Sequence, residues 1–293
     1  MIPSPFEYYS PTSLKEAITL LSSHVNDAKI LAGGQSLLPL LKLRLARPGV
    51  VVDLGRITEL NYIRSEGHEI AIGAMTTYSQ LQASELLRNR CPLLPQTASL
   101  VGDVQIQNQG TLGGSLAHAD PAGDMPATAL ALGAELTVVG PNGERRIRIE
   151  DFILTMLTTT LSPDEILTEI RVPSSEGSKT TYLKATQRAS GFAVVGVAAC
   201  LKVGRDRICE EIAIGVTGVG DKAYRAEEVE NKLKGKKLEN RLIEEAAAET
   251  THGVDVNEDI NGSAEYRSHL ARVYVARAIH ASAESRPTDS SAT

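Results

Sequence analysis

The order of hydrophobic and polar positions predicts short helices and strands that alternate along the chain. Apolar residues recur at helical spacing in residues 14–24. Residues 28–32 form a short apolar run that predicts a strand, and this run ends at the pair Gly33–Gly34. A second helical pattern follows Ser36 and is interrupted by Pro48. Similar runs predict further strands at 50–54, 69–73, 135–139, 146–149 and 165–172.

A change of pattern near residue 176 predicts two domains. Residues 77–89 predict a helix, 110–124 are rich in glycine, and 127–132 predict a helix of small residues. Residues 174–180 are small and polar, which is typical of a linker. We therefore expect an α+β protein whose two domains join near residue 176. Beyond the linker, the pattern predicts strands near 179–185, 193–203 and 209–217, and helices near 226–233, 239–250 and 263–283.

The two glycine stretches each have features of a phosphate-binding loop. Leu31–Ser36 leads from a strand to a helix start through Gly33–Gly34, and Gly110–Ser115 contains the pair Gly113–Gly114. Glycine lets the backbone approach a ligand closely, and the N–H groups and dipole of a helix start favour an anion. Backbone amides of both pairs could therefore clasp one diphosphate from two sides. Glycine pairs more often mark turns or tight packing, and neither stretch has the spacing of known nucleotide-binding fingerprints. The pattern alone thus indicates no more than a candidate phosphate cradle.

Composition and charge argue against several classes of function. The 293 residues carry 30 basic and 36 acidic side chains, and a net charge of −6 does not favour nucleic-acid or membrane binding. No apolar run is long enough to span a bilayer. The three cysteines are scattered, which argues against a disulfide framework and against an iron–sulfur cluster held by this chain alone. The N-terminus has no basic region followed by an apolar stretch, so together with the sparse cysteines we expect a cytoplasmic protein. The histidines show no shared metal-binding spacing, so we expect no metal site on this chain.

Two longer strings carry a specific family resemblance. AGGQSLLPLLKLRLARP (residues 32–48) and GTLGGSLAHADPAGDMPA (residues 110–127) closely resemble the medium, FAD-binding subunit of the molybdenum hydroxylases. That family includes carbon monoxide dehydrogenase and xanthine dehydrogenase. The resemblance implies an FAD-binding domain of the vanillyl-alcohol-oxidase/p-cresol-methylhydroxylase type with two α+β subdomains, followed by an α+β domain of the CO dehydrogenase flavoprotein type. The implied ranges are 1–176 for the FAD-binding domain (subdomains about 1–56 and 57–176), 177–283 for the C-terminal domain and 284–293 for a disordered tail.

The same resemblance implies which residues contact FAD. The first glycine segment, here Ile30 through Leu37, would wrap the diphosphate. The second, Thr111 through Ser115, would contact the diphosphate and nearby flavin atoms. Val101 would pack on the cofactor, Leu167 would contact its adenine side or ring, and Lys184 would approach the isoalloxazine. Asp124 would bind polar groups of FAD, although an ordinary helix N-cap is the alternative. The expected cofactor-binding residues are Ile30, Leu31, Ala32, Gly33, Gly34, Gln35, Ser36, Leu37, Val101, Thr111, Gly113, Gly114, Ser115, His118, Asp120, Asp124, Leu167 and Lys184.

Four features near these segments leave alternatives open. His118 and Asp120 either contact the flavin or cap the local turn. Gln35 stands where relatives often have histidine. Gly191 stands where many relatives have an acidic residue, which leaves the redox tuning and the electron acceptor undetermined. Basic residues alternate with apolar ones in residues 42–47, and we interpret this as a solvated helix face with an apolar underside, with partner docking as the alternative.

The resemblance implies electron transfer without a catalytic acid or base on this chain. Electrons would pass from a molybdenum–pterin centre through two 2Fe–2S clusters to FAD, and then to an external acceptor. The implied partners are a large molybdopterin-binding subunit and a small two-cluster 2Fe–2S subunit, assembled as a dimer of heterotrimers. The alternatives are a stand-alone FAD-dependent oxidoreductase of the same fold and a non-catalytic binding or assembly module.

Overall fold

The computed structural model describes residues 2–284 of the chain. Their strands form a three-stranded, a five-stranded and a four-stranded sheet together with one two-stranded hairpin. Within these residues the strands, in chain order, are β1 (Glu7–Tyr9), β2 (Ala28–Leu31), β3 (Val50–Asp53), β4 (Ile63–Glu66), β5 (Glu69–Gly73), β6 (Glu135–Gly140), β7 (Gly143–Arg148), β8 (Ile153–Thr155), β9 (Thr158–Thr159), β10 (Ile166–Pro173), β11 (Lys179–Thr186), β12 (Ala193–Val203), β13 (Cys209–Thr217) and β14 (Tyr224–Arg225). The helices of the same part of the chain are α1 (Leu14–Ser23), α2 (Leu37–Lys42), α3 (Tyr78–Ala83), α4 (Glu85–Arg90), α5 (Leu93–Ala98), α6 (Val104–Gln109), α7 (Leu112–His118), α8 (Asp124–Leu132), α9 (Ile149–Phe152), α10 (Glu227–Leu233), α11 (Asn240–Ala247) and α12 (Ala264–Glu284).

The first sheet is parallel and has the strand order β1-β3-β2. Its central strand β3 begins with three valines that are all buried, which is typical of a strand covered on both faces. Helix α1 contributes Ala17 and Leu21 to the core of this sheet. Ser13 caps the helix by accepting a hydrogen bond from the Glu16 amide. Strand β2 therefore delivers the chain in a fixed position to the first glycine segment.

The second sheet is antiparallel, has the strand order β4-β5-β10-β6-β7, and carries the largest apolar core. Strand β10 lies at its centre, between β5 and β6. Helices α5, α7 and α8 pack on this core through buried side chains such as Leu94, Leu116 and Leu130. Helix α7 begins inside the second glycine segment, so packing against the second sheet fixes that segment as well.

The third sheet has the strand order β11-β12-β13-β14 and packs against helices on its two faces. Alternate residues of β12 separate these faces: Ala198 belongs to the core of the second sheet, whereas Val197 belongs to a core shared with α12. Helix α8 packs against β12 and β13, and all nine of its residues are buried. Gly215 of β13 allows this approach, because an added Cβ would overlap the carbonyl oxygen of Ala127. Helix α8 therefore places Asp124 where the second and third sheets meet.

The predicted mixture of helices and strands is confirmed, but the helix predicted after Ser36 was too long. Helix α2 ends at Lys42, and the chain then turns with Arg44 at a positive φ of 59°. The amide of Leu45 donates to the carbonyl of Leu40, which closes the turn. Helical spacing of leucines in this segment therefore did not mean a continuous helix.

Other helix and strand boundaries differ from the predicted ones, and the causes lie in single residues. The helix predicted at 77–89 is two helices, because Ser84 ends α3 and its side chain caps α4. Pro173 was expected to follow the strand, but it is the last residue of β10 and is paired with Glu69. The sequence pattern missed α5, α6 and α7, whose six or seven residues are too few to show a clear helical period.

Helix α12 is the last element of the described region. Glu284 is the last residue of α12, and the remainder of the predicted tail lies outside the described residues. Among residues 2–284, no helix combines the length and apolar character needed to cross a membrane.

Candidate cofactor site

The first glycine segment presents a row of backbone N–H groups. It lies between β2, which contains Ile30 and Leu31, and α2, which begins at Leu37. Among the residues that the structure describes, no acceptor pairs with the amides of Gly33–Leu37. Gly34 has a φ of +75°, a conformation that suits glycine and that turns successive N–H groups towards one side. Five adjacent donors at a helix start form a site suited to an anion.

Side chains of the first segment leave these amides unobstructed. The side-chain Nε2 of Gln35 donates to the carbonyl of Gly33 at 2.9 Å, so this side chain folds back on its own segment. Ser36 precedes α2 but forms no side-chain cap. The helix start thus keeps the donors that a capping side chain would otherwise engage.

The second glycine segment uses its amides inside the protein. Gly113 donates to the carbonyl of Ala74 at 2.9 Å, and Leu112 donates to that of Thr76 at 3.0 Å. The Gly114 amide donates to the side-chain oxygen of Thr111 at 3.1 Å. Both amides of the pair thus have internal acceptors in this structure, and their contact with a diphosphate stays a prediction. These glycines anchor α7 to the second sheet.

The two segments nevertheless lie against each other. An added Cβ on Gly33 would overlap the carbonyl oxygen of Gln109 and would lie 2.9 Å from the Cα of Gly110. An added Cβ on Gly114 would lie 3.5 Å from the Cβ of Ala32. The absence of side chains at Gly33 and Gly114 therefore creates a close joint between segments about eighty residues apart in the sequence. The adjacency needed for a shared cradle is present.

Asp124 is held in a buried network rather than used as a helix cap. Gly123 is the N-cap of α8, with no side-chain cap, so the ordinary N-cap alternative for Asp124 was wrong. One carboxylate oxygen of Asp124 accepts a hydrogen bond from the Tyr182 hydroxyl at 2.5 Å, and the other accepts from the Lys184 ammonium at 3.1 Å. Burial raises the pKa of Asp124, and the neighbouring Lys184 opposes that shift.

Lys184 joins three segments of the chain. Besides Asp124, its ammonium donates to the carbonyls of Leu100 at 2.6 Å and Gly191 at 2.9 Å. An ammonium has three protons, so these partners account for all of them. The side chain is only 3% exposed. Lys184 thus lies beside the turn that contains Gly191. Its approach to the isoalloxazine stays a prediction.

The remaining predicted residues are spread around this junction. Val101 is partly buried against the core of the second sheet, and Leu167 lies within that core on β10 with 5% of its surface exposed. His118 and Asp120 approach each other at 3.9 Å and are both partly exposed. Asp120 also accepts a hydrogen bond from the Ala122 amide at 2.8 Å, so its turn-capping contact is present.

Two tyrosines complete the junction and were not predicted from the sequence. Burial raises the pKa of Tyr78 to about 12, and a hydrogen bond with the Ser115 hydroxyl opposes that shift. Burial and the Asp124 carboxylate raise the pKa of Tyr182 well above its ordinary value. Tyr182 could have been found, because it lies two residues before Lys184 on a strand and therefore shares its face. No comparable signal marks Tyr78.

The predicted residues fit the diphosphate of a dinucleotide in one respect that the structure shows directly. The first segment offers N–H donors without acceptors, and its glycines bring it against α7. The Thr111 hydroxyl, which accepts from the Gly114 amide, adds a donor at the same joint, whereas the Ser115 hydroxyl is bonded to Tyr78.

Two protein-family models match consecutive parts of the chain. A family model described as the FAD binding domain in molybdopterin dehydrogenase matches residues 4–175. A model described as the CO dehydrogenase flavoprotein C-terminal domain matches residues 180–282.

Individual relatives match over nearly their whole length. The chain is 36% identical to the glyceraldehyde dehydrogenase medium chain of Sulfolobus acidocaldarius, over 95% of this chain and 98% of that relative. It is 38% identical to the carbon monoxide dehydrogenase medium chain of Hydrogenophaga pseudoflava, over 96% of this chain and 98% of that relative. A solved structure of the Hydrogenophaga pseudoflava carbon monoxide dehydrogenase superposes with a TM-score of 0.94 at 39% identity, covering 96% of this chain and 98% of that chain.

Proposed function

Because this chain belongs to the family of FAD-binding medium subunits of molybdenum hydroxylases, we propose that it relays electrons from iron–sulfur clusters of a partner subunit through FAD to an external acceptor. The chain is an oxidoreductase component and contains an FAD-binding domain. Bound FAD supplies the redox chemistry, whereas the protein binds and orients the cofactor.

The observation that carries the proposal is the row of amides at Gly33–Leu37. These N–H groups would donate to the diphosphate of FAD, and the positive φ of Gly34 sets their common direction. The second segment would complete the cradle through the hydroxyl groups of Thr111 and Ser115, because its own amides are engaged. The remaining predicted contacts, from Ile30 to Lys184, are part of the same proposal.

The chain's own ionisable groups support a binding role rather than acid–base chemistry. Asp124 and Lys184 are buried and paired with each other, and Lys184 has no further proton to donate without losing a partner. Such a pair fixes the local geometry of the junction.

The relatives' names support the proposed partners. Several are called medium chains or subunits, and the solved Hydrogenophaga pseudoflava enzyme is a form that lacks the Mo-pyranopterin moiety of its molybdenum cofactor. We place the molybdopterin on a large partner subunit and two 2Fe–2S clusters on a small one. The proposed assembly is a cytoplasmic dimer of heterotrimers. In this chain, we propose an FAD-binding domain that ends near residue 176.

The test is reduction of the flavin within the assembled complex. The purified chain should show flavin absorption bands, and anaerobic addition of the complex's organic substrate should bleach them only when the iron–sulfur subunit is present. A flavin that stays oxidised while the clusters are reduced would contradict the relay.

The same experiment separates the alternatives. Bleaching by the organic substrate without either partner would indicate a stand-alone flavoenzyme. A purified chain that neither contains nor takes up FAD would indicate a binding or assembly module.

A further inference from the structure

The turn that follows α2 exposes leucines that the fold leaves uncovered. We call residues 38–47 the basic-leucine turn. Leu43 and Leu45 are 53% and 73% exposed, and Leu38 is 40% exposed, whereas Leu41 is buried at 2%. The apolar underside predicted for residues 42–47 was therefore wrong, because Leu43 and Leu45 are exposed and only Ala46 is half-buried. Adjacent exposed leucines on an ordered surface mark a site of interaction more often than isolated ones do.

The same turn is positively charged on a chain that is negative overall. Residues 28–52 contain four basic and no acidic residues, although the whole chain carries a net charge of −6. Lys42, Arg44 and Arg47 form no ion pair with any residue in the described part of the chain. Their charges are therefore available to an outside partner, and opposite charges on that partner would guide docking.

Backbone hydrogen bonds hold the leucines in this outward position. The amides of Leu43, Arg44 and Leu45 donate to the carbonyls of Pro39, Leu41 and Leu40 at 2.9, 3.0 and 2.9 Å. The guanidinium of Arg47 donates to the Arg44 carbonyl at 3.1 Å. A surface that is already ordered loses less conformational entropy when it binds than a flexible loop does.

We propose that the basic-leucine turn docks an apolar surface with an acidic rim on a partner subunit of the molybdenum hydroxylase complex. This inference rests on the proposed function, because that function supplies the partner subunits. Leu43 and Leu45 would enter the apolar centre, and Lys42 and Arg47 would face the acidic rim.

A protein partner fits this turn better than an anionic membrane does. Helices that bind in a membrane interface present a long apolar face, whereas α2 has six residues. The exposed leucines occupy a compact turn beside the predicted diphosphate cradle, which starts at Gly33 and ends at Leu37. A compact apolar centre with basic residues around it matches the anatomy of a protein interface.

The experiment titrates the FAD-loaded chain onto a subcomplex of the molybdopterin-binding and iron–sulfur subunits. The test variant is Leu43→Glu/Leu45→Glu. Its dissociation constant should rise by about tenfold or more, because central apolar residues dominate interface affinity. The matched control is Ile260→Glu, which places a carboxylate on a fully exposed apolar residue of the C-terminal region. The control should bind like the wild type.

Further measurements show whether a loss of affinity comes from lost docking contacts, from misfolding or from the change in charge alone. FAD content and the thermal midpoint of Leu43→Glu/Leu45→Glu should match the wild type, because both side chains are mostly exposed. A Lys42→Gln/Arg47→Gln variant should lose less affinity than the wild type when salt is raised, because fewer charges remain to be screened.

Three results would overturn the inference. Wild-type affinity of Leu43→Glu/Leu45→Glu for the subcomplex would remove the docking surface and leave the proposed function intact. Loss of binding to anionic vesicles in this variant, with subcomplex binding unchanged, would indicate a membrane contact instead. Failure of the FAD-loaded wild-type chain to bind the subcomplex would overturn both the docking surface and the proposed partners.

Discussion

The first glycine segment, Gly33–Leu37, has no acceptors for its amides among the described residues, whereas the amides of Leu112–Ser115 all donate within the protein. Both segments contain a glycine pair after an apolar run or a turn. The first pair follows the end of β2, and no carbonyl of the described residues accepts a hydrogen bond from its amides, although the Gln109 carbonyl lies close to Gly33. The second pair lies over the carbonyls of Ala74 and Thr76. A glycine pair therefore indicates close backbone approach, and the neighbouring carbonyls decide whether the approach serves a ligand or the fold.

The largest effect on cofactor binding is expected from Gly33→Ala. The new Cβ would meet Gln109 and Gly110, so the two segments would separate. An overpacking cost of about 1–3 kcal/mol would lower FAD affinity by roughly 5- to 150-fold. Flavin fluorescence during titration of the apoprotein measures this change. Unchanged affinity would show that the joint between the segments is not part of the cradle.

Gly113→Ala should instead act mainly on stability. Its Cβ would lie 2.5 Å from the Cβ of Ala74, and the free energy of unfolding should fall by about 1–3 kcal/mol. Urea unfolding of the apoprotein gives this value. The folded variant should retain more FAD affinity than Gly33→Ala does. Lost affinity with unchanged stability would mean that the second segment binds the cofactor rather than packing α7.

Gly34→Ala and Gly67→Ala form a matched pair that separates strain from binding. Both glycines have positive φ, 75° and 65°, so the backbone strain of each alanine should cost about 1–2 kcal/mol of stability. Gly34→Ala should cost somewhat more, because its Cβ would also lie 2.9 Å from the Leu38 side chain, which must shift. Nothing lies within 4 Å of a Cβ on Gly67, and that variant should bind FAD normally. Gly34→Ala should lower FAD affinity by about tenfold, because the cradle needs the left-handed residue. Equal FAD affinities in the two variants would contradict the role of Gly34.

The smallest effect is expected at Glu165, away from both segments. The Arg145 guanidinium lowers the pKa of Glu165 to about 2 from an ordinary value of 4.5. A lowered pKa contributes stability that is present above pH 4.5 and is lost as the pH falls through about 2. Since Arg145 is substantially exposed, the contribution is about 1 kcal/mol or less.

Glu165→Gln should therefore flatten the stability curve between pH 4.5 and 2 and leave FAD affinity at neutral pH unchanged. Urea unfolding at several pH values measures the free energy of unfolding. Glu144→Gln, on an exposed glutamate of β7 next to Arg145 in the sequence, is the matched control and should keep the acid sensitivity of the wild type. A loss of FAD affinity in Glu165→Gln would show that stability and cofactor binding are not separable in this region.

The local periodicity of the sequence was sufficient to predict the longer strands and helices. The strand predicted at 193–203 is β12, and the helix predicted at 263–283 is α12 within one residue at each end. Such elements repeat their pattern over several turns or alternations, so neighbouring residues specify them. The short helices α5, α6 and α7 lack that redundancy. Packing and capping by residues such as Asp103 and Thr111 specify them instead.

The sequence by itself determined the family resemblance, the order of the main elements and the two glycine segments. Only the tertiary structure decided that the Gly33–Leu37 amides lack acceptors, that Lys184 joins Leu100 to Gly191, and that Leu43 and Leu45 face outward. The physical reason is that hydrogen-bond partners and burial depend on residues far away in the chain. The carbonyl of Ala74 that engages Gly113, for example, leaves no trace in the pattern around Gly113.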